Sequence, residues 1–208
     1  MPKKGSPLYE ALKSTMDGIK PLFDDALPFE PHITITSDIE ARSTGQVEYV
    51  LDRALAASKA VPAIDVVFSS LTYGSTFTKK VYFKVEPRAP LMSLARISRE
   101  EFVTAPRMMA SQKNYSALSQ EDKDRLTQQA SQQADDWVKN EYKPHLSLAY
   151  SNTYPIDEAL QRTIETRLGD VFGPDFNTRG LGWTNGRLAL VLCEGPVDEW
   201  QTLGYRDL

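Results

Sequence analysis

Apolar residues at Leu8, Leu12, Met16 and Ile19 recur at the spacing of one helix face, which predicts a helix over residues 7–20. The period then changes. Residues 30–36, Glu-Pro-His-Ile-Thr-Ile-Thr, alternate polar and apolar side chains, and this predicts a strand of about seven residues. Ser43 and Gln46 are spaced as a capping box, opening a helix with Val47, Val50, Leu51, Leu55 and Ala56 on its apolar face. Strands are expected over 63–73 and 77–85, with Gly74-Ser75 marking the turn between them. A helix follows Pro90 over 90–103, then a loop over 104–120. Ser119 caps a polar helix through Glu121 to Asn140, and its Gln128, Gln129, Gln132 and Gln133 read as a solvated face.

A second alternating run lies at about 143–150, Lys-Pro-His-Leu-Ser-Leu-Ala-Tyr. Pro155 is expected to start a helix through Leu168. The apolar run Arg187 to Cys193 predicts a strand, with a last strand around Trp200. Helices and strands therefore gather around each alternating run. The pattern implies an α+β chain of two similar lobes, read as one domain over residues 1–208.

Composition narrows the class. The net charge of -4 leaves no broad basic surface for duplex nucleic acid. Cys193, the single cysteine, lies in an apolar run and reads as a buried, inert thiol in a reducing compartment. The first thirty residues lack a long apolar stretch and no segment reaches the length of a membrane span, so a cytosolic protein is expected.

The chain holds two histidines, and both stand in the same local phrase, Pro-His-Ile-Thr at 31–34 and Pro-His-Leu-Ser at 144–147. Ser and Thr together fill about 15% of positions, so a hydroxyl two residues after both histidines is roughly a 2% coincidence. On a strand, residues two apart share a face. His32, Thr34 and Thr36 would then point one way and Ile33 and Ile35 the other. His145, Ser147 and Ala149 would likewise oppose Leu146 and Leu148.

Two imidazoles that titrate near neutrality can divide the labour of acid and base, while the hydroxyls hold anionic oxygens between them. That set suits in-line displacement at phosphorus, one ring activating water and the other protonating the departing alkoxide. A strained 2′,3′-cyclic phosphate is a substrate within its reach. A zinc site would need three or four ligands, and the chain has no further histidine to offer. A Gly-x-Ser-x-Gly elbow, a P-loop and a Rossmann glycine pattern are all absent.

Paired H-x-[T/S] motifs half a chain apart resemble the signature of the two-histidine phosphoesterase superfamily. The stretches FEPHITIT (29–36), KPHLSLAYS (143–151) and GWTNGRLALVLCEGPVDEW (182–200) are similar to the fungal 2′,3′-cyclic-nucleotide 3′-phosphodiesterases. The resemblance implies a bilobal fold with helices outside and two antiparallel sheets facing a central cleft, one motif per lobe. It implies hydrolysis, with no metal or other cofactor, of nucleoside 2′,3′-cyclic phosphates to 2′-phosphates. ADP-ribose 1″,2″-cyclic phosphate, a by-product of tRNA splicing, is the other implied substrate.

Carried to this chain, the resemblance makes Thr34 and Ser147 the phosphate binders, His145 the base toward water and His32 the acid toward the leaving oxygen. Tyr150 matches an aromatic position associated with ordering the water. Strand parity, however, sets Tyr150 opposite His145, so it reaches the site only if the strand ends or bulges there. Thr36 is expected in structural support. Tyr73, Phe77 and Trp183 are candidates for stacking on the base.

The chain departs from the family where it opens MPKKGSPLYEAL, without the expected strand of the kind Ala-Leu-Trp-hydrophobic. One sheet is then expected to have an unfilled edge. The expected partner is a small nucleotide, the resemblance also admits Golgi association, and the oligomeric state stays open. So do two other readings: an RNA-end-processing or ligase-like relative, and a non-catalytic nucleotide-binding module.

Overall fold

Ser6 and Pro7 start the first helix. The Ser6 hydroxyl accepts the amide of Tyr9 at 3.2 Å, and Pro7 occupies a first-turn position where no amide is needed. The helix, α1 (Pro7–Ile19), buries Leu12, Met16 and Ile19, as its spacing requires. A computed structural model describes residues 1–208. After α1 come α2 (Thr44–Lys59), β1 (Asp65–Tyr73), β2 (Val81–Val85), α3 (Ala89–Arg99), α4 (Ala105–Ala110) and α5 (Gln120–Asn140). The remainder is β3 (His145–Ala149), α6 (Glu158–Phe172), β4 (Gly182–Thr184), β5 (Arg187–Leu192) and β6 (Gln201–Asp207).

The strands form two antiparallel sheets with helices around them, an α+β fold. One sheet has four strands in the order β3-β2-β1-β4, and the other pairs β5 with β6. In the larger sheet Phe68 and Phe83 stack with ring centroids 4.8 Å apart. They join Leu146 and Leu148 of β3, Leu12 and Met16 of α1, and Ile164 and Leu168 of α6 in one core. Burying such side chains contributes roughly 1.5–3 kcal/mol each, so this core fixes the plane from which β3 projects its other face. No helix is long and apolar enough to cross a membrane.

The capping box at α2 forms as expected, Ser43 accepting the amide of Gln46 at 3.3 Å while the Gln46 amide oxygen accepts the Ser43 amide at 3.1 Å. Val47, Val50 and Leu51 are buried, whereas Ala56 is exposed. Ser119 caps α5, its hydroxyl accepting the Asp122 amide.

Five expectations change. Of the strand expected over 77–85 only Val81–Val85 forms, because Phe77–Lys79 close a short helical turn before it. Residues 30–36 form no strand: the whole stretch 26–42 lacks regular structure, because no other strand pairs with it. The expected loop over 104–120 contains α4. There α3 runs on through a widened helical turn, Glu100–Thr104, into α4, and Pro106, which has no amide to give, follows directly on that turn. The helix expected from Pro155 begins later, with Asp157 as its cap accepting the amide of Leu160 at 2.8 Å. Cys193 is exposed, since β5 ends at Leu192 and Gly195, at φ 71°, turns the chain outward.

The β5–β6 ladder leaves one edge of β5 without a strand. Only at its start is that edge occupied. The amino group of Met1 donates to the Arg187 carbonyl and the Arg187 amide donates to the Met1 carbonyl, both at 2.9 Å.

Candidate active site

The shared prolines explain how each histidine is aimed. Nδ1 of His32 lies 2.7 Å from the Glu30 carbonyl, and Nδ1 of His145 lies 2.8 Å from the Lys143 carbonyl. In both cases the partner is the carbonyl two residues back, across a buried proline, Pro31 or Pro144. A carbonyl can only accept, so Nδ1 carries the proton in each ring and Nε2 is left as the atom available for proton transfer. Proline holds φ near its fixed value and favours an extended residue before it, which keeps the accepting carbonyl in place.

Both imidazoles border a single cavity of about 910 Å³, together with Thr34, Thr36, Tyr150, Thr78 and Lys79. His145 reaches it from β3, with Ser147 buried behind it on the same strand, while His32 and Thr34 come from the unpaired stretch 26–42. Side chains hold that stretch where a ladder would otherwise do so. Tyr142 donates its hydroxyl to the Thr34 carbonyl at 3.1 Å. Asp25 accepts the Ser151 hydroxyl at 2.5 Å and the Asn152 amide at 2.7 Å, contacts that hold its carboxyl below the usual range. Phe29 stacks on Tyr150 with centroids 4.0 Å apart and planes 9° from parallel. The two motifs are thus fastened by residues just outside the repeated phrase.

Tyr150 enters the site for the reason parity left open. The β2–β3 register slips between Val81, opposite Ala149, and Tyr82, opposite Ser147, and the strand stops at Ala149. Its phenol lies 3.5 Å from Nε2 of His32. Burial pushes the Tyr150 phenol up to about 12, so it stays a neutral hydroxyl beside His32.

The hydroxyls differ. Thr34 is exposed on the cavity wall and its hydroxyl has no protein partner. Ser147 is buried, and its hydroxyl donates to the Thr78 carbonyl at 2.6 Å. Burial lowers both histidines below their usual range. At each ring the backbone carbonyl partly offsets burial by favouring the charged form, the Glu30 carbonyl at His32 and the Lys143 carbonyl at His145. The amino terminus and His145 disfavour the charge at His32, with the Glu30 carboxylate opposing them more weakly, and Lys79 disfavours it at His145.

Thr36 lines the cavity beside its own neighbour's carbonyl, consistent with support. Of the aromatic candidates, Tyr73 donates to Glu165 on α6 at 3.1 Å, away from the cavity. Trp183 lines the cavity but packs edge-on to Phe68, and Phe77 lies 5.8 Å from Tyr150. Sequence reasoning missed Phe29, Tyr142, Lys79, Trp200, which lines the cavity 6.3 Å from Tyr150, and Tyr82, whose ring meets His145 edge-on at 5.6 Å. Phe29 sits inside FEPHITIT and Trp200 ends GWTNGRLALVLCEGPVDEW, so their places in those two stretches were the available signal. No group of three His, Cys, Asp or Glu side chains converges as a cation site would need.

The family described as "Cyclic phosphodiesterase-like protein" matches residues 1–208 of this chain. The chain belongs to that family. Among its relatives, a protein of Yarrowia lipolytica named 2′,3′-cyclic-nucleotide 3′-phosphodiesterase is 53% identical over 207 residues, covering 99% of this chain and 96% of the relative. Proteins of the same name from Debaryomyces hansenii and Candida albicans are 35% and 32% identical. They cover 93% and 100% of this chain, and 98% and 96% of their own lengths. The family match takes in both histidine phrases and the segments that fasten them.

Proposed function

We propose that this chain is a cyclic phosphodiesterase. It hydrolyses 2′,3′-cyclic nucleotides to nucleoside 2′-phosphates and ADP-ribose 1″,2″-cyclic phosphate to ADP-ribose 1″-phosphate, with no metal in the reaction. The observation that carries the reading is that two imidazoles, each held at Nδ1 by a backbone carbonyl, border one cavity in a chain that this family matches over residues 1–208. In this reading the chain is bilobal. The four-stranded sheet carries His145 and Ser147, the stretch with His32 and Thr34 belongs with β5 and β6, and the cavity is the cleft between the two lobes.

The local charges suggest the division of roles. His145, kept neutral by burial and by Lys79, takes a proton from water at Nε2 as the water oxygen bonds to phosphorus. His32, whose nearest carboxylate is that of Glu30, gives its Nε2 proton to the 3′ oxygen as the P–O3′ bond breaks. Thr34 donates to a non-bridging oxygen, and Ser147 joins it when its hydroxyl turns from Thr78. The Tyr150 phenol stands on the side of the acid, so we assign it to orienting His32 rather than to the water.

The test is hydrolysis of 2′,3′-cyclic AMP. The wild-type protein should turn over in EDTA, and His32→Ala and His145→Ala should each lose about a hundredfold or more. Wild-type rates in the double variant, or no turnover by the wild type, would overturn the assignment.

A further inference from the structure

The dipeptide Lys79-Lys80 splits into two unlike residues. Lys80 is fully buried, its ammonium donating to the Ser75 carbonyl at 3.3 Å and lying 5.4 Å from the centre of the Tyr154 ring. That charge is committed to structure. Lys79 is half-buried and lines the cavity beside Thr78, His32 and His145. The cavity has two other cationic side chains. Lys13 donates to the Phe29 carbonyl at 3.4 Å, and Arg187 is paired with Asp207 at 2.8 Å. The ammonium of Lys79 has neither a hydrogen-bond acceptor nor a carboxylate within the protein.

Its base is held firmly. Lys79 closes a short helical turn, Phe77–Lys79, tied to β3 by the Ser147 hydroxyl on the Thr78 carbonyl at 2.6 Å and to the segment after β3 by the Ser151 amide on the Phe77 carbonyl at 3.1 Å. On the other side Gly74 allows the turn to close, since a Cβ there would stand 2.1 Å from the Lys79 carbonyl oxygen. The hydroxyl of the second histidine phrase therefore fixes the turn bearing the lysine.

The chemistry leaves a place for such a cation. In the proposed reaction the imidazolium charge passes from His32 to His145, so the rings supply one positive charge throughout. Thr34 and Ser147 contribute only neutral dipoles. Charge that accumulates on the non-bridging oxygens needs a fixed partner, and oriented partners of that kind are worth about 10²–10³ in rate.

We infer that Lys79 is a further catalytic residue, its ammonium contacting a non-bridging oxygen of the phosphoryl group and stabilising it as negative charge builds in the transition state. This rests on the phosphodiesterase reading of the same cavity. The depressing effect of Lys79 on His145 is a second consequence of the same placement.

The experiment compares Lys79→Met, Lys79→Arg and Lys84→Met on 2′,3′-cyclic AMP, with thermal melts of each. Lys84 is exposed, sits opposite His145 in the ladder and removes the same unit of charge. Lys79→Met should lose about a hundredfold in kcat with an unchanged melting temperature. Lys79→Arg should recover most of the rate, and Lys84→Met should stay near wild type. A Lys79→Met variant with wild-type kcat, or an equal loss in Lys84→Met, overturns the role. Wild-type protein without turnover would instead remove the function on which it rests.

Discussion

The phenol of Tyr150 stands 3.5 Å from Nε2 of His32, while its ring stacks flat on Phe29. One side chain, placed just after the second motif, thus supports the reactive nitrogen of the first. The two contacts can be separated. Tyr150→Phe keeps the stack and removes one hydrogen bond, so kcat should fall about tenfold with little change in melting temperature. Tyr150→Ala also empties a buried aromatic site and should cost about 3–5 kcal/mol on denaturant unfolding. Equal activity in wild type and Tyr150→Phe would show that the phenol does not orient His32.

Thr34 and Ser147 look equivalent in sequence and are unequal in the structure. Thr34→Ala removes an exposed hydroxyl without a partner, so stability should stay within about 0.5 kcal/mol while kcat/KM falls. Ser147→Ala strips the Thr78 carbonyl of its donor at a partly buried bond, and should cost about 1 kcal/mol besides lowering activity. Matched kinetic assays and urea melts of the two variants check the contrast. A Ser147→Ala protein as stable as wild type would mean that its bond to Thr78 is not structural.

The sequence made the chemistry more legible than the backbone around it. His145 and Ser147 lie on a true strand, so period two placed them correctly, with Leu146 and Leu148 in the core. The first phrase has the same period but no neighbouring strand, and strand pairing is a long-range fact that alternation alone does not contain. Tyr150 was ambiguous for a similar reason, since a register slip against β2 is decided across the sheet. Cys193 was misplaced because an apolar neighbourhood in sequence does not reveal where a strand ends. The carbonyls that set both histidine tautomers could be read only from coordinates, although the prolines that hold them stood in the repeated phrase.

Two glycines should respond in opposite directions to alanine. A Cβ at Gly182 would stand 1.8 Å from the Val66 carbonyl oxygen, where β4 crosses β1. Backbone must shift there, so Gly182→Ala should lose about 3 kcal/mol. Gly169 lies within α6 with open space around its Cβ position, and Gly169→Ala should gain about 0.5–1 kcal/mol. Thermal or urea unfolding of both, against wild type, checks the pair. Similar effects of the two changes would mean that backbone freedom, not local space, governs both sites.

The pH dependence follows from two histidines that burial holds below their usual 6.5. Each binds its proton more weakly folded than unfolded, so the unfolded chain gains protons first as pH falls. Stability from these rings is therefore present above about 6.5 and lost as pH drops through that value toward the folded ones. Melting temperature should decline from pH 7 to 5, and less steeply in a His32→Gln, His145→Gln double variant. Catalysis adds a second signature. His145 must be neutral and His32 charged, which gives a bell, and the alkaline limb belongs to His32. A bound phosphate anion restores the charged form of His32, so that limb should lie at higher pH for kcat than for kcat/KM. Coincident alkaline limbs in the two profiles would mean that the substrate anion does not face His32, and the acid role would pass to another group.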